Sequence, residues 1–254
     1  MGMGVTNLPD RVTILPMQIF AHRGAAGRNA DENSLEAIKR AVGLGVDGIE
    51  VDIRRTRDDE AVLVHDLDLR RIAGDIRQVA DLSLEEIKAV TLRHGTQVPT
   101  LDEMTANVPP PLILDLEVKD QEALDLMIRK LRTSTGLRER TIITSFAQDV
   151  IERLSNELPD VRCGLLLHAW PGRLKSFLSW AKEHKLYGIG LVSRQWNRRR
   201  VDRIHEEGMK TLVWESYGMR STRGRAKRLN DLGLDMAIVN QPLVYREMRD
   251  AVET

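Results

Sequence analysis

The chain has 254 residues, of which 42% are hydrophobic and 30% are charged, so it can bury one sizeable core. Its 38 basic residues balance 38 acidic ones, and no net charge therefore attracts it to nucleic acid or to an anionic membrane surface. The single cysteine, Cys163, excludes an internal disulfide and suits a reducing compartment.

Residues 1–16 form a candidate N-terminal extension. Pro9, Asp10 and Pro16 interrupt the apolar core that a secretory signal needs. No stretch of the chain has the run of about eighteen apolar residues that a membrane span needs. We therefore expect a cytoplasmic protein without stable membrane insertion. The opening Met1-Gly2-Met3-Gly4-Val5-Thr6 matches the myristoylation template, which is short and permissive.

Eight runs rich in Val, Ile and Leu predict strands that are covered on both faces. They are residues 17–21, 48–53, 112–118, 141–145, 161–167, 188–192, 210–214 and 236–239. Amphipathic helices are predicted over residues 34–44, 121–133, 148–158, 174–184, 199–207 and 222–232. This alternation predicts a parallel sheet, and eight such units predict a closed (β/α)8 TIM barrel in a single domain, 1–254. A doubly wound open sheet is the alternative.

One interval is longer than a barrel connection requires. Residues 54–110 follow the second barrel strand and contain a further strand-like run at 61–64 and a short helix at 84–90. An insertion at the carboxyl end of a barrel strand is a common place for a lid or a substrate-binding wall. We therefore expect residues 54–110 to form part of the site.

Carboxylates cluster at the ends of two predicted strands, where the active site of such a barrel lies. Glu50 and Asp52 are two residues apart, so their side chains point to the same side, and Glu117 ends the next barrel strand. Three carboxylates would then meet in the barrel mouth, and unpaired buried carboxylates are costly. A divalent cation would relieve that cost, and all-oxygen ligation favours Mg²⁺ or Ca²⁺.

Histidines and cations occupy neighbouring strand ends. His22 ends the first strand and His65 ends the inserted run, and histidine is the usual proton-transfer group near neutral pH. Arg23 and Lys119 would supply positive charge to a phosphate. The alternative is a metal-free ionic core in which Arg23, Lys119 and Arg54 neutralise the carboxylates.

A series of short motifs runs in order along the chain from Gln18. They are His22-Arg23-Gly24, Glu32-Asn33-Ser34, Gly48-Ile49-Glu50-Val51-Asp52, Thr56-Arg57-Asp58, His65-Asp66, Leu69-x-Arg71, Pro99-Thr100-Leu101-x-Glu103, Glu117-x-Lys119, Ser145-Phe146, Trp214 and Pro242. Their order and spacing resemble the signature of the glycerophosphodiester phosphodiesterase family. Each motif is weak alone, but the ordered set is specific.

The resemblance implies a role for each matching residue. The implied roles are metal ligands for Glu50, Asp52 and Glu117, an acid–base pair for His22 and His65, phosphate contacts for Arg23 and Lys119, and further substrate contacts for Trp214 and Phe146. Enzymes of this family cleave glycerophosphodiesters to glycerol 3-phosphate and an alcohol. The expected partner is therefore a small-molecule glycerophosphodiester.

The sequence departs from the family pattern at four places. Ala26 replaces a frequent Ser, Asp31 a frequent Pro, Val239-Asn240 the usual Thr-Asp, and Glu215-Ser216 a common Thr-Val. The last two lie where the alcohol part of the substrate would bind, so they put the preferred alcohol in doubt. We expect the last two changes to leave the phosphate chemistry untouched.

Other functions are possible on the same barrel. One is a sphingomyelinase D-like lyase acting on lysophospholipids, and another is a catalytically inactive barrel that binds phosphate ligands. The inactive barrel is disfavoured because a binding protein needs no acid–base pair. Basic stretches at Arg198-Arg199-Arg200 and 220–228 have acidic neighbours, so we expect solvated helix faces rather than a nucleic-acid site.

Overall fold

The computed structural model describes residues 16–27 and 30–251. Within these residues the strands are β1 Gln18–Ala21, β2 Gly48–Arg55, β3 Ala61–Leu63, β4 Ile113–Val118, β5 Thr141–Ser145, β6 Arg162–Leu167, β7 Gly188–Val192, β8 Lys210–Trp214 and β9 Met236–Val239. The α-helices are α1 Leu35–Gly43, α2 Arg70–Ala73, α3 Leu84–Lys88, α4 Leu101–Asn107, α5 Gln121–Thr133, α6 Thr135–Glu139, α7 Gln148–Glu157, α8 Leu174–Glu183, α9 Arg198–Glu206, α10 Arg223–Asp231 and α11 Pro242–Asp250.

Eight of these strands close into a parallel barrel. Each strand pairs with the next in the order β1, β2, β4, β5, β6, β7, β8 and β9, and β9 pairs again with β1. The predicted (β/α)8 barrel is therefore confirmed, and the doubly wound alternative is wrong because an open sheet has no pairing between its two edges. β3 lies outside the barrel, antiparallel to the end of β2.

Side-chain alternation along the strands separates two apolar regions. Ile49, Val51 and Ile53 of β2 belong to the large core between the barrel and its surrounding helices. A second cluster, which includes Phe20 and Leu212, fills the interior of the barrel. Because successive strand residues point to opposite sides, the residues between those of β2 that face the helices point inward. This alternation directs carboxylates into the barrel.

At the bottom of the barrel the backbone at Gly48 lies close to the ring of Phe20. A Cβ atom at Gly48 would overlap the ring of Phe20, which is fully buried on the neighbouring β1. Glycine at position 48 therefore allows the ring to fill the barrel interior below the polar residues. The carboxylates above it stand on a packed apolar floor rather than in an open channel.

Residues between β2 and β4 form a small apolar cluster of their own. Its buried members include Val64, Leu69 and Ile87. The predicted strand and helix in this region appear as β3 and α3, and the short helices α2 and α4 were not predicted. The chain leaving β3 delivers His65 to the barrel mouth, and α2 delivers Arg71.

The myristoylation-like pattern and residues 1–15 of the predicted extension lie outside the described residues. In the part of the chain that the structure describes, no helix combines the length and apolarity needed to cross a bilayer.

Candidate active site

Three buried carboxylates meet at the mouth of the barrel. Glu50 and Asp52 come from β2, and Glu117 comes from β4, where it is the register partner of Asp52. One oxygen atom from each carboxylate can be chosen so that all three lie within 4.8 Å of one another. The three predicted metal-ligand residues therefore lie together, as their strand positions required.

The electrostatics of this cluster fit a bound cation. Burial raises the pKa of Glu50 well above its usual value, and the charges of Asp52 and Glu117 add to the rise. Burial also raises the pKa of Glu117. Glu50 Oε1 is buried and accepts no hydrogen bond. An oxygen-only cluster with an unsatisfied acceptor can hold a metal ion.

Two cations already contact the cluster. Lys119 Nζ lies 2.7 Å from Asp52 Oδ1, and it also contacts Glu117. Arg23 Nε lies 3.2 Å from Asp52 Oδ2, and the Arg23 backbone N–H donates to Glu50 at 2.8 Å. Burial alone would raise the pKa of Asp52, but Lys119 and Arg23 lower it below its usual range. The predicted phosphate contacts therefore adjoin the carboxylates.

Arg54 directs its hydrogen bonds to groups outside the cluster. Its guanidinium donates two hydrogen bonds to the backbone oxygen of His65, at 3.0 and 2.9 Å, and one to Asp120 at 2.9 Å. The ion pair of Arg54 is therefore with Asp120 rather than with a carboxylate of the cluster, although the charges of Asp52 and Glu117 still act on Arg54. Arg54 instead fixes the chain at His65, because it binds the carbonyl of that residue.

The segment between β1 and α1 also binds Asp52. Arg23, Gly24 and Asn33 all have positive φ, and a Cβ at Gly24 would clash with the backbone of α1. In this segment the Asn33 side chain donates to Asp52 Oδ2 at 2.8 Å and accepts from the Asp52 backbone N–H at 3.2 Å. The glycine of the His-Arg-Gly motif thus lets the chain after β1 pack closely against α1.

The two histidines are each held through Nδ1. His22 Nδ1 lies 2.7 Å from Asn240 Oδ1, and His22 Nε2 lies 3.8 Å from Glu50 Oε2. His65 Nδ1 lies 2.6 Å from Asp66 Oδ1. Burial lowers the pKa of His22 to about 4 and also lowers the pKa of His65. Both rings line the same cavity.

A second layer of ion pairs supports this arrangement, and the sequence assigned it no role. Glu32 accepts from Arg23 at 2.8 Å and from both terminal nitrogens of Arg71 at 2.6 Å. Arg71 also donates to Asp66 at 2.6 Å. Arg71 thereby connects the partner of His65 to the partner of Arg23. Glu32 and Arg71 were visible only as members of the ordered motifs.

Aromatic and aliphatic side chains form the opposite wall of the cavity, which has a volume of about 370 Å³. The ring of Phe146 stacks on that of His168 with centroids 4.5 Å apart, and Trp214 meets Phe146 edge-on at 5.3 Å. Leu166 and Ile238 complete the wall. His168 was missed, although it directly follows β6 and the strand-end rule that found His22 could have found it.

The mouth of the cavity carries a residue that the sequence did not single out. The half-exposed ring of Tyr217 lies 4.9 Å from the guanidinium of Arg23 and 5.4 Å from that of Arg71. In total, seven of the nine predicted site residues line the cavity, and the other two are ion-paired with members of that set, Asp52 with Arg23 and Lys119 with Glu117. The structure therefore brings all nine together.

Comparison with known proteins gives the family. The model of the glycerophosphoryl diester phosphodiesterase family matches residues 22–244, which include every one of these side chains. The chain belongs to this family. The resemblance found in the ordered motifs is thereby confirmed, and with it the class of enzyme.

Individual relatives of the family are distant in sequence. A glycerophosphodiester phosphodiesterase of Caldanaerobacter subterraneus is 31% identical over 161 residues, which are 58% of this chain and 65% of that protein. The aligned part is thus just under two thirds of that relative's length. A phosphodiesterase of Oleispira antarctica, solved in complex with the product sn-glycerol-3-phosphate, has a TM-score of 0.81 at 21% identity and covers 92% of this chain and 97% of its own.

A glycerophosphodiester phosphodiesterase of Parabacteroides distasonis gives a similar result. Its crystal structure has a TM-score of 0.80 at 21% identity, over 94% of this chain and 99% of that one. Structural likeness at this identity establishes the barrel fold. The family assignment depends on the match to the family model.

Proposed function

We propose that this protein hydrolyses glycerophosphodiesters to glycerol 3-phosphate and an alcohol, with the help of a divalent metal ion. The observation that carries the proposal is the placement of three buried carboxylates beside two histidines in one cavity. Family membership supports the same reaction, and the Oleispira antarctica neighbour was solved with the product of that reaction.

Glu50, Asp52 and Glu117 would hold the metal ion, and Mg²⁺ or Ca²⁺ suits a site made only of carboxylate oxygens. The unsatisfied Oε1 of Glu50 and the raised pKa of that group both favour an added positive charge. When bound, such an ion supplies Lewis acidity that polarises a phosphoryl oxygen. Arg23 and Lys119 supply further positive charge for the phosphate.

The two histidines would divide the proton transfers. One takes a proton from the nucleophile as its oxygen attacks phosphorus, and the other gives a proton to the alkoxide that leaves. The nucleophile is water, or the neighbouring hydroxyl of the glycerol in a route through a cyclic phosphate. His22 and His65 each have Nδ1 held by a neighbour, which leaves Nε2 for this chemistry.

The aromatic wall would bind part of the substrate beyond the phosphate. Phe146, Trp214 and His168 present ring faces and edges, and the adjoining Leu166 and Ile238 are aliphatic. Ring faces favour a quaternary ammonium group, and no carboxylate belongs to this wall to bind a primary ammonium. We therefore expect glycerophosphocholine to be preferred over glycerophosphoethanolamine.

A lysophospholipid substrate is the second candidate, as the sphingomyelinase D-like alternative requires. Tyr217, which lines the cavity, is 50% exposed, and Leu67, which follows the lining residue Asp66 in the sequence, is 64% exposed. Such residues could contact an acyl chain. We also propose a cytoplasmic location, because the lone Cys163 is buried and unpaired. Nucleic acid is not a proposed partner, since the helices with arginine clusters also carry acidic residues.

Identification of the products by ³¹P NMR tests this function. Wild type, His22→Gln and the matched control His184→Gln are each incubated with glycerophosphocholine or with lysophosphatidylcholine vesicles. We expect glycerol 3-phosphate from glycerophosphocholine with wild type and His184→Gln but not with His22→Gln. Equal release by His22→Gln would place catalysis elsewhere, and turnover of vesicles alone would establish the lysolipid alternative. A transient cyclic phosphate would identify the cyclic route.

A further inference from the structure

The ring of His22 is held by an amide whose orientation the structure determines. Asn240 Nδ2 donates to the backbone oxygens of Ser216 at 2.8 Å and Met219 at 3.0 Å. If the amide were flipped, its oxygen would face two carbonyl oxygens, and both hydrogen bonds would be replaced by repulsion. Asn240 Oδ1 is therefore the atom that faces His22, at 2.7 Å from Nδ1.

This orientation decides where the ring carries its proton. An amide oxygen has no hydrogen to donate, so at 2.7 Å it needs N–H, not a lone pair, on His22 Nδ1. In the neutral ring the proton then lies on Nδ1, and Nε2 has a lone pair. Nε2 is the nitrogen that lies 3.8 Å from Glu50 Oε2, beside the carboxylate cluster.

A buried carboxylate anchors Asn240 in turn. Glu215 is fully buried, and its Oε2 accepts from the Asn240 backbone N–H at 3.1 Å and from Ser221 at 2.6 Å. Its Oε1 accepts from Arg225 at 3.0 Å and from Tyr245 at 2.9 Å. These partners lie at the end of β9, in the loop after β8, in α10 and in α11. Glu215 therefore connects Asn240 to two helices through hydrogen bonds.

Glu215 and Asn240 are also the late departures from the family's sequence pattern. They contact one another in the structure, although they lie 25 residues apart in the sequence. Two unusual residues that meet beside a histidine of the acid–base pair suggest a joint role there. Neither residue lines the reaction end of the cavity with Glu117 and His65.

We propose that Asn240, anchored by Glu215, is a positioning residue that holds neutral His22 in the Nδ1-protonated tautomer. His22 Nε2 then presents a lone pair to the substrate, ready to take a proton. This proposal rests on the proposed function, in which His22 is one of the two proton-transfer groups. The tautomer itself is a property of the folded protein and can be measured without turnover.

Nitrogen NMR of the full-length protein measures the tautomer directly. Histidine is labelled with ¹⁵N, Mg²⁺ is added, and the two ring nitrogens of His22 are assigned by comparison with His22→Gln. At mildly alkaline pH we expect a protonated Nδ1 and an unprotonated Nε2 in the wild type. Asn240→Leu removes the acceptor, so its two shifts should move toward each other as both tautomers become populated. Asn240→Asp keeps an acceptor and should keep the wild-type shifts.

The two Asn240 variants also separate the tautomer from anchoring of the loop. Asn240→Asp loses both amide donors to the loop but keeps the bond to His22, whereas Asn240→Leu loses all three bonds. We expect kcat on glycerophosphocholine to fall about 10- to 1,000-fold in Asn240→Leu with little change in KM, because a wrongly protonated histidine cannot take a proton. Asn240→Asp should recover most of that loss, and Asn107→Leu, far from the site, is the matched control.

Each outcome decides the proposal. A wild-type spectrum with Nε2 protonated overturns it, and so do unchanged His22 shifts in Asn240→Leu. Equal kinetic losses in Asn240→Asp and Asn240→Leu would mean that Asn240 only anchors the loop. If Asn240→Leu does not fold, the spectra of wild type and Asn240→Asp still test the tautomer. If no diester is hydrolysed at all, the proposed function fails while the tautomer remains measurable.

Discussion

A bound divalent cation should stabilise the folded protein, because the carboxylate cluster concentrates negative charge. Two unit charges 4.8 Å apart repel each other by about 3.5 kcal/mol at an effective dielectric constant of about 20. Lys119 and Arg23 offset part of this repulsion. A cation at one hundred times its Kd that binds only the folded state adds about 2.7 kcal/mol to the free energy of unfolding. For a chain of this size the Tm should rise by about 5 to 10 °C.

Differential scanning calorimetry measures this rise. The chelated protein is melted alone, with Mg²⁺ or with Ca²⁺, and with NaCl at matched ionic strength. Glu50→Gln should lose most of the rise. Without metal it should melt no lower than wild type, because the raised pKa of Glu50 means that its ionised form is disfavoured in the folded state. Asp115→Asn is the matched control, because Asp115 is a buried barrel carboxylate outside the cluster, bound by Thr144 at 2.7 Å.

The control should keep the full rise in Tm. Burial raises the pKa of Asp115 to about 7, so the substitution removes only about half a unit charge at neutral pH. An equal rise in Glu50→Gln would show that the cation binds elsewhere. No rise in the wild type with either ion would refute the reasoning that the cluster is a metal site.

Three further results are expected. Lys119→Gln should lower kcat/KM on glycerophosphocholine about 10- to 100-fold, because a charged hydrogen bond contributes about 1.5 to 3 kcal/mol, while Lys175→Gln on an exposed helix should not. Gly48→Ala should lower the free energy of unfolding, measured in urea, by about 1 to 3 kcal/mol, because the added methyl group crowds Phe20. Adding Phe20→Leu to this variant should recover part of the loss. An unchanged urea midpoint in Gly48→Ala would contradict the prediction. Trp214→Leu should raise KM for glycerophosphocholine more than it lowers kcat, and a loss confined to kcat would argue against substrate contact.

The barrel and the carboxylate cluster could be predicted because both follow from short-range periodicity. All eight barrel strands were found with their ends shifted by at most two residues. Glu50 and Asp52 share a side of β2 by the two-residue repeat of a strand, and parallel pairing with β4 brings Glu117 beside them. A repeat over a few residues can be recognised in a single sequence.

The contacts that position the histidines could not be predicted in this way. Arg71 meets Glu32 across 39 residues of sequence, and Asn240 meets His22 across 218. Such pairs depend on how loops from different strands pack over the barrel mouth, and the local sequence around each residue does not predict this packing. Arg54 was a neutralising residue only in the metal-free alternative, and its long side chain binds the carbonyl of His65.

Hydrolysis of glycerophosphocholine by the chelated protein, with Mg²⁺, Ca²⁺ or Mn²⁺ added back, tests metal-dependent phosphodiesterase activity most directly. Release of glycerol 3-phosphate should be absent after chelation, return with at least one of these ions, and vanish again in Glu50→Gln. Full activity in the chelated protein would contradict the role of the carboxylate cluster. No turnover by folded wild type with any of these ions would contradict the proposed substrate.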